Sequence, residues 1–464
     1  MNQTLESFLN PVKNILVAAA AGLAISCGGN SGTDMQNQPK ECTPAVAAPA
    51  SPDWECSSRL EKEPDWRYSD YHFNRVESCF FDLAASIALT HSDSLIVNLR
   101  DSVISLDRNG TKRWQHGMPY YKDQENTISL GLVIGDDESV YASLGTLTEI
   151  INDGFRMIKL SRKGNLEGEL LLAFPIGILD NDSLLVLKSD YDNYGQTPRS
   201  FLKLCSISTH NLATENWCYG GVDFNSTLTW KGNIYSIYRG GTDTNPDNYL
   251  IKLNPQGEEK EKIPLPKLND FESELAREGD TSTIVAYTIS HLIRGSDAFY
   301  SARTPFYNSS NPVSILLKFD NVGEFIWSFE APSFQCQEPV IGKDNTIYWA
   351  CGDLYALDQV DGSIKWIKKL FTSIGFTPTI GGSGIIYAAR GTGLQAIDSS
   401  GSTLWTFSPH SEICSSPVID AEGRMYNLTK LAEISALDIP EEQGLFPSPW
   451  PRVNADNQNS RRIP

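Results

Sequence analysis

Short apolar runs recur along the chain, separated by turns that contain Asp, Asn or Gly. The clearest runs are Thr377–Ile380, Ile385–Ala389, Gly393–Ile397 and Thr403–Phe407. Runs of four or five residues bounded by Gly and Asp predict β-strands that are joined by hairpin turns. Strict alternation of apolar and polar residues is blurred, which indicates sheets that pack against neighbours on both faces.

One phrase recurs among these strands: an apolar residue, Asp or a substitute, a Gly-containing turn, and then often Trp. The Asp-equivalent positions are 107, 161, 208, 254, 320, 358, 398 and 438. Their mean spacing is about 47 residues, which is close to one propeller blade. The sequence therefore predicts an all-β fold, a single eight-bladed β-propeller of four-stranded antiparallel sheets, with seven blades as the alternative.

The best copies of this phrase, Ala356 to Trp366 and Ala396 to Trp405, resemble the tryptophan-docking repeat of pyrroloquinoline-quinone (PQQ) dehydrogenases. That superfamily also contains the barrel-assembly lipoprotein of the outer membrane. The resemblance covers about residues 79–438 and implies that the Trp side chains dock between blades. The docking residues it implies are Trp114, Trp217, Trp327, Trp366 and Trp405.

The last repeat contains three recognisable strands and lacks an evident fourth. We expect an N-terminal segment around residues 54–76 to supply the missing strand and to hide the exposed edges. The predicted propeller domain covers residues 54–446. The remaining C-terminal tail, residues 447–464, resembles a terminal motif found beside such repeats and is expected to pack on the propeller.

The N-terminus contains an apolar run, Ile15–Ile25, that is too short to span a bilayer and fits a signal peptide. Leu23–Cys27 resembles a bacterial lipobox, which implies a signal peptide of residues 1–26 and lipidation of Cys27. A plain secretory signal is the alternative. Residues 27–53 are rich in Gly, Pro, Ala and Ser and predict a flexible tether. The resemblance implies an outer-membrane-anchored lipoprotein that faces the periplasm or the exterior.

Eight cysteines remain beyond Cys27, and an even number in an exported chain predicts disulfides. Cys336 and Cys351 flank one hairpin turn, and Cys205 and Cys218 flank another. Opposed strand positions bring Cβ atoms within reach of a bridge, so these two pairs are predicted disulfides. The other four cysteines allow three connectivities that the sequence does not distinguish: Cys42, Cys56, Cys79 and Cys414.

Charge and motif content argue against several functions. The net charge of −19 disfavours nucleic-acid binding, because a negative surface repels a phosphate backbone. PQQ dehydrogenases use a central Ca²⁺, a catalytic carboxylate and commonly a disulfide between adjacent cysteines. This chain has no adjacent cysteine pair and no carboxylate that matches the catalytic base. The histidines lack metal-ligand spacing, so no catalytic residue and no cofactor is predicted.

Two acidic segments place oxygen-bearing side chains at alternate positions, a spacing that can wrap Ca²⁺. They contain Asp190 and Asp192 in one segment, and Asp243 and Asp247 in the other. Neither segment completes the EF-hand pattern, and solvated loops between strands are the favoured interpretation. Three long insertions are expected to be irregular: residues 188–200, 240–248 and 258–284.

These features favour a non-enzymatic exported propeller that acts as a scaffold for a protein or ligand at the cell envelope. Its partner, a protein or a glycan, is not identified by the sequence, and membrane contact is expected only through the lipid. The alternatives are a PQQ- and Ca²⁺-dependent dehydrogenase and a carbohydrate-binding or lyase propeller.

Overall fold

The computed structural model divides into two units, Met1–Leu60 and Glu61–Pro464. In the described part of the chain, no helix is long and apolar enough to cross a membrane. The predicted signal peptide, Cys27 and the tether lie outside the described residues. The structure describes residues 60–61, 64–69, 87–99, 102–117, 127–146, 156–180, 182–189, 202–220, 222–242, 245–265, 289–304, 313–333, 336–342, 345–370, 376–390, 393–429 and 431–463.

The described residues form eight sheets, the blades, each with four antiparallel strands, and a short fifth strand extends two of these sheets. In each blade the innermost strand is named first and the outermost strand last. The first two strands of the chain are β1 (Leu60–Glu61) and β2 (Trp66–Ser69). Blade 1 contains β3 (Ile87–Leu89), β4 (Leu95–Asn98), β5 (Ser102–Leu106) and β6 (Lys112–Gly117). Blade 2 contains β7 (Thr127–Ile134), β8 (Val140–Thr146), β9 (Arg156–Leu160) and β10 (Leu166–Leu171).

The next three blades follow in chain order. Blade 3 contains β11 (Ala173–Asp180), β12 (Ser183–Ser189), β13 (Leu202–Ser208) and β14 (Glu215–Gly220). Blade 4 contains β15 (Val222–Trp230), β16 (Asn233–Thr242), β17 (Asn245–Leu253) and β18 (Glu259–Pro264). Blade 5 contains β19 (Ile289–Arg294), β20 (Phe299–Thr304), β21 (Ser314–Phe319) and β22 (Phe325–Ala331).

The last three blades complete the ring. Blade 6 contains β23 (Val340–Ile341), β24 (Ile347–Cys351), β25 (Asp353–Leu357) and β26 (Ile364–Lys368). Blade 7 contains β27 (Thr379–Ile380), β28 (Ile386–Arg390), β29 (Gly393–Ile397) and β30 (Thr403–Phe407). Blade 8 contains β31 (Val418–Ile419), β32 (Arg424–Leu428) and β33 (Glu433–Asp438), with β2 as its outermost strand. A final short strand, β34 (Arg462–Ile463), runs parallel to β15.

The ring is closed by a strand from the other end of the chain, as the sequence predicted. β2 pairs antiparallel with β33, from Trp66 opposite Ala436 to Ser69 opposite Glu433. Apolar residues of blades 1 and 8 share one buried cluster, which contains Ile104 and Tyr426. The architecture is therefore an all-β propeller of eight blades rather than seven.

The recurring Asp and Gly of the sequence build the turn between the third and fourth strands. In blade 1 the Asp107 carboxylate accepts the backbone N–H groups of Asn109 and Thr111, both at 2.9 Å. Gly110 follows with φ of 79°, a left-handed conformation that glycine adopts without steric cost. Asp320 and Asp398 accept equivalent pairs of N–H groups in blades 5 and 7.

Packing between blades explains why strict alternation is absent from the sequence. The second and third strands are almost wholly buried, as in β5 and β24, because both of their faces contact neighbouring blades. Only the outermost strands show an exposed face, as in β6 and β14. Buried apolar clusters join blades 1 to 2, 2 to 3 and 3 to 4, and onward around the ring.

Two of the segments predicted to be irregular contain strands instead. Residues 240–242 and 245–248 lie in a hairpin, since β16 and β17 stay paired as far as Thr242 opposite Asn245. The insertion 258–284 begins with β18, which completes blade 4. The β16–β17 hairpin stays regular in residues 240–242 and 245–248 because its two strands form backbone hydrogen bonds with each other. Most of the third insertion, residues 188–200, lies outside the described residues.

Candidate functional site

The axis of a propeller, where the inner strands of the blades converge, is the place at which this architecture has a central channel. Here the C-terminal tail forms hydrogen bonds with the inner strands of seven of the eight blades. Its side chains are largely buried, and Trp450 and Arg452 have no measurable exposure. The channel mouth is therefore filled by the protein's own chain.

Six blades each donate a backbone N–H to the tail. Since these N–H groups sit on inner strands, they would lack a partner in the blades themselves. The donors and acceptors are Leu89 to Asn457 (2.8 Å), Ile134 to Gln458 (3.0 Å), Ile178 to Ser460 (3.1 Å), Thr229 to Arg461 (3.0 Å), Ile341 to Trp450 (2.8 Å) and Ile380 to Pro451 (2.8 Å). Blade 8 contributes the Ile419 carbonyl, which accepts from Asn457 Nδ2 at 2.7 Å.

The Glu338 carboxylate binds three groups of the tail. It accepts the indole N–H of Trp450 and the backbone N–H of Asn454, the latter at 2.9 Å. Its second oxygen lies 3.2 Å from Nη2 of Arg461, and both side chains are buried. A buried carboxylate needs such partners, because an unpaired one would lose its hydration without compensation. Burial lowers the pKa of Arg461, and the neighbouring Glu338 opposes that shift.

A compact turn gives the tail its shape. The Asp456 carboxylate accepts the backbone N–H groups of Gln458 and Ser460, at 3.0 and 2.9 Å. Burial raises the pKa of Asp456, while the Ser460 hydroxyl, which also donates to this carboxylate, acts in the opposite direction. Asn459 Nδ2 then reaches the carbonyls of Ile87 and Leu132, at 3.3 and 3.0 Å.

Sequence reasoning missed Glu338, although a signal for it exists. Three inner strands begin with the same four-residue pattern. Its first position varies, its second position is Pro, and two further residues follow. Blades 7 and 8 have the buried hydroxyl residues Thr377 and Ser416 at the first position, and blade 6 has Glu338. A charged residue at a buried position requires a partner, and here that partner is the tail.

The predicted docking tryptophans lie at blade junctions. Four of them donate the indole N–H to a carbonyl in the turn of the next blade: Trp114 to Arg162 (2.9 Å), Trp217 to Pro255 (2.8 Å), Trp327 to Gln359 (3.0 Å) and Trp366 to Ser399 (2.9 Å). Trp405 is buried in the apolar cluster that joins blades 7 and 8. The turn glycine lies over the ring, since a Cβ on Gly362 would be 2.7 Å from Trp327.

The two cysteine pairs that were predicted from register lie at disulfide distance. Cys205 and Cys218 face each other across β13 and β14, with Sγ atoms 2.04 Å apart. Cys336 and Cys351 form an isolated antiparallel bridge and are also paired. Near the turn of their hairpin, the strand pairing differs from the prediction by one residue. Ile341 lies opposite Ile347, where the predicted pairing placed Val340. Cys414 is disulfide-bonded as well.

The remaining predicted site residues are not assembled into a site by the described structure. Cys27, Asp190, Asp192 and Asp243 lie outside the described residues, as do Cys42, Cys56 and Cys79. Asp247 lies in β17, where it is opposite Gly240. The backbone of residues 245–248 is extended in this strand, and Ca²⁺ binding by the segment stays a prediction.

Comparison with known proteins agrees with this architecture. Residues 314–441 match the family model of the outer membrane protein assembly factor BamB. No curated protein sequence matches the chain significantly. The fold is similar to the solved structure of BamB from Moraxella catarrhalis, with 15% identity, a TM-score of 0.53, and coverage of 82% of this chain and 98% of that chain.

Propellers outside that family are equally similar in fold. The Dos1 propeller has 9% identity and a TM-score of 0.53, with coverage of 83% of this chain and 97% of that chain. The C-terminal WD40 domain of Sif2 has 11% identity and a TM-score of 0.52, with coverage of 83% and 100%. The chain is thus a propeller of PQQ-like repeats, distantly similar to BamB, and its likeness to these structures establishes the fold alone.

Proposed function

We propose that this propeller is a non-enzymatic scaffold of the bacterial cell envelope, which binds a partner protein through its outer surface and is anchored by a lipid on Cys27. The observation that carries the proposal is the tail, which fills the place where a propeller enzyme of this superfamily would hold its cofactor. The match of residues 314–441 to an outer membrane assembly factor supports the envelope assignment.

The residues at the axis do not fit PQQ with a central Ca²⁺. Glu338 is a buried carboxylate there, but its oxygens are already engaged by Trp450, Asn454 and Arg461. The indole of Trp450 and the guanidinium of Arg452 are also fully buried, and the latter is hydrogen-bonded to Pro417, Asp456 and Asn459. The adjacent cysteine pair that commonly stacks on the quinone is absent from the sequence. We therefore derive no catalytic step through this cofactor.

Exposed apolar side chains support a protein as the partner. Phe325 and Ile326 on β22, and Ile364 and Ile367 on β26, are 44 to 50% exposed. Val360, in the turn before β26, is 78% exposed. Large apolar side chains on outer strands gain free energy when a partner removes them from water. This outer surface of blades 5 and 6 is the proposed docking region.

Site-specific photo-crosslinking in intact cells tests the docking region. A photoreactive residue at Ile364 or Ile326 should give a discrete adduct of the protein with one partner. The same residue at Lys112, on the outermost strand of blade 1, should give none and serves as the matched control. The absence of adducts at Ile364 and Ile326, or equal adducts at all three positions, contradicts the proposal.

Two further assays separate the other parts of the proposal. Metabolic labelling with a fatty-acid analogue should mark the wild type and not Cys27→Ser, and labelling of both would contradict lipidation at Cys27. The purified protein with added PQQ and Ca²⁺ should show no dye-linked alcohol oxidation. Oxidation that depends on PQQ would overturn the non-enzymatic assignment and leave the docking result unaffected.

A further inference from the structure

A pocket of about 250 Å³ lies between blades 1 and 2, and its lining includes no residue of the tail or of blades 5 and 6. Three cationic side chains line it: Arg113, Arg162 and Lys163. The wall also contains the ring of Trp114 and four hydroxyl groups from Ser and Thr residues. Its volume suits a small molecule or a single ring, being below the range of pockets that hold larger ligands.

The three cations differ from other cations of these blades that form ion pairs with described carboxylates. On the same blade, Arg156 lies 3.4 Å from Glu169, and Lys159 lies 2.9 Å from Glu167. No described carboxylate lies within ion-pair distance of the three pocket cations. One carboxylate, Glu138, also lines the pocket and accepts the backbone N–H of Ser92 at 2.8 Å. Three cations against one carboxylate leave the lining with an excess of positive charge, which in a chain of net charge −19 marks a place that attracts anions.

The repeat architecture provides an internal comparison for this cluster. Three positions can be compared between docking junctions. The first is the residue before the Trp, and the other two are the residues after the Asp-equivalent position, in the turn that covers the Trp. At the junction of blades 1 and 2 these are the three cations. The equivalent residues are Asn216, Pro255 and Gln256 at blades 3 and 4, Ile326, Gln359 and Val360 at blades 5 and 6, and Lys365, Ser399 and Ser400 at blades 6 and 7. Blade docking therefore does not require cations at these positions.

Hydrogen bonds hold parts of the pocket in place. Nη1 of Arg113 donates to Oγ of Ser94 at 2.6 Å. The indole N–H of Trp114 donates to the Arg162 carbonyl at 2.9 Å, which fixes the backbone of the turn that carries Arg162 and Lys163. The cost of ordering the Arg113 side chain is thereby partly met before any ligand binds.

We propose that this pocket binds a small ligand that carries an oxyanion, a carboxylate or a phosphate. The guanidinium groups of Arg113 and Arg162 match the paired oxygens of such a group, and Lys163 adds a third positive charge. Trp114 forms part of the wall, while the turn at Gly164 covers one face of its ring. The site is independent of the scaffold proposal, since it uses neither the tail nor the surface of blades 5 and 6.

Isothermal titration calorimetry with the intact protein tests the site. Glucuronate carries a carboxylate on a ring, glucose is its neutral counterpart, and inorganic phosphate is an oxyanion without a ring. We expect saturable binding of glucuronate and none of glucose. Glucuronate tighter than phosphate indicates a carboxylate ligand, and phosphate tighter than glucuronate indicates a phosphorylated ligand.

Substitutions identify the residues that are responsible. Arg113→Gln and Arg162→Gln should each weaken binding of the preferred probe at least tenfold, because each removes a charged hydrogen-bond donor. Lys365→Gln, the repeat equivalent of Arg113 in blade 6, should leave binding unchanged. These side chains are exposed, and equal thermal midpoints should confirm that the variants fold. The proposal is overturned if neither probe binds the wild type, or if both Arg variants bind as the wild type does.

Discussion

Nη2 of Arg461 lies 3.2 Å from the Glu338 carboxylate, and the two side chains are only 4% and 1% exposed. A buried pair of this kind is costly to break from one side, because the remaining charge is left without a partner. Glu338→Gln keeps an oxygen that can accept from Trp450 but removes the countercharge of Arg461. We expect the free energy of unfolding to fall by about 3–5 kcal/mol, measured by urea denaturation.

The matched control is an exposed pair on β17 and β18, where Lys252 lies 2.6 Å from Glu261. Glu261→Gln should change the free energy of unfolding by less than about 1 kcal/mol, since solvent screens exposed charges. Equal losses for Glu338→Gln and Glu261→Gln would show that the tail is not held by a buried ion pair.

The turn glycines are predicted to be required by the docked tryptophans as well as by the backbone. Gly362 and Gly232 both have positive φ, 74° and 71°. An added Cβ on Gly232 meets nothing within 4 Å, whereas one on Gly362 would collide with Trp327. Gly232→Ala should cost about 1–2 kcal/mol for the left-handed backbone. Gly362→Ala should cost about 1–3 kcal/mol more, for overpacking.

Thermal and urea denaturation of these two glycine variants provide the comparison. Because the backbone term is shared, the difference between them isolates the contact with the tryptophan ring. If Gly362→Ala were no less stable than Gly232→Ala, the docking of Trp327 under the turn would be wrong.

Closure of the ring by β2 predicts the effect of an N-terminal truncation. A chain that begins at residue 77 lacks the partner of β33, whose unpaired edge can then recruit other chains. The loss should be on the order of 2–4 kcal/mol, at about 1 kcal/mol per hydrogen bond. Size-exclusion chromatography should show aggregates for this chain. A chain that begins at residue 54 keeps β2 and should remain monodisperse; aggregation of both would implicate another cause.

Tyr387 predicts a loss of stability in alkaline solution. Burial and the neighbouring Glu442 carboxylate, to which its hydroxyl donates, raise the pKa of Tyr387 above its usual value of 10.0. The stabilisation that depends on the protonated phenol is complete below about pH 10 and declines as the pH rises further, by about 1.4 kcal/mol per pH unit. Between pH 9 and 11, urea denaturation should show a smaller decline for Tyr387→Phe. Equal declines would contradict the assignment.

The blades could be predicted because their determinants are local. The predicted runs Gly393–Ile397 and Thr403–Phe407 coincide with β29 and β30. The Asp398 turn between them is set by residues within four positions of one another. A repeated phrase of this kind identifies the turn, the flanking strands and the docked Trp together.

The place of the tail could not be derived from its own sequence. Its hydrogen bonds join residues that are far apart in the chain, such as Leu89 and Asn457, so no local pattern specifies them. The large apolar and charged residues of the tail, among them Trp450 and Arg461, have no periodicity that indicates a strand. Glu338 gave the available clue, as a charged residue at a position where blades 7 and 8 have Thr377 and Ser416.

Amide hydrogen exchange tests most directly whether the tail occupies the axis. In the full chain, the amides of Leu89, Ile134, Ile178, Thr229 and Ile341 should exchange slowly, because each donates to the tail. Removal of residues 447–464 should accelerate all five together. The amides of β21, which pair within blade 5, should stay protected and report that the blades remain folded. Rapid exchange at the five amides in the full chain, or no change after truncation, would contradict a channel closed by the tail.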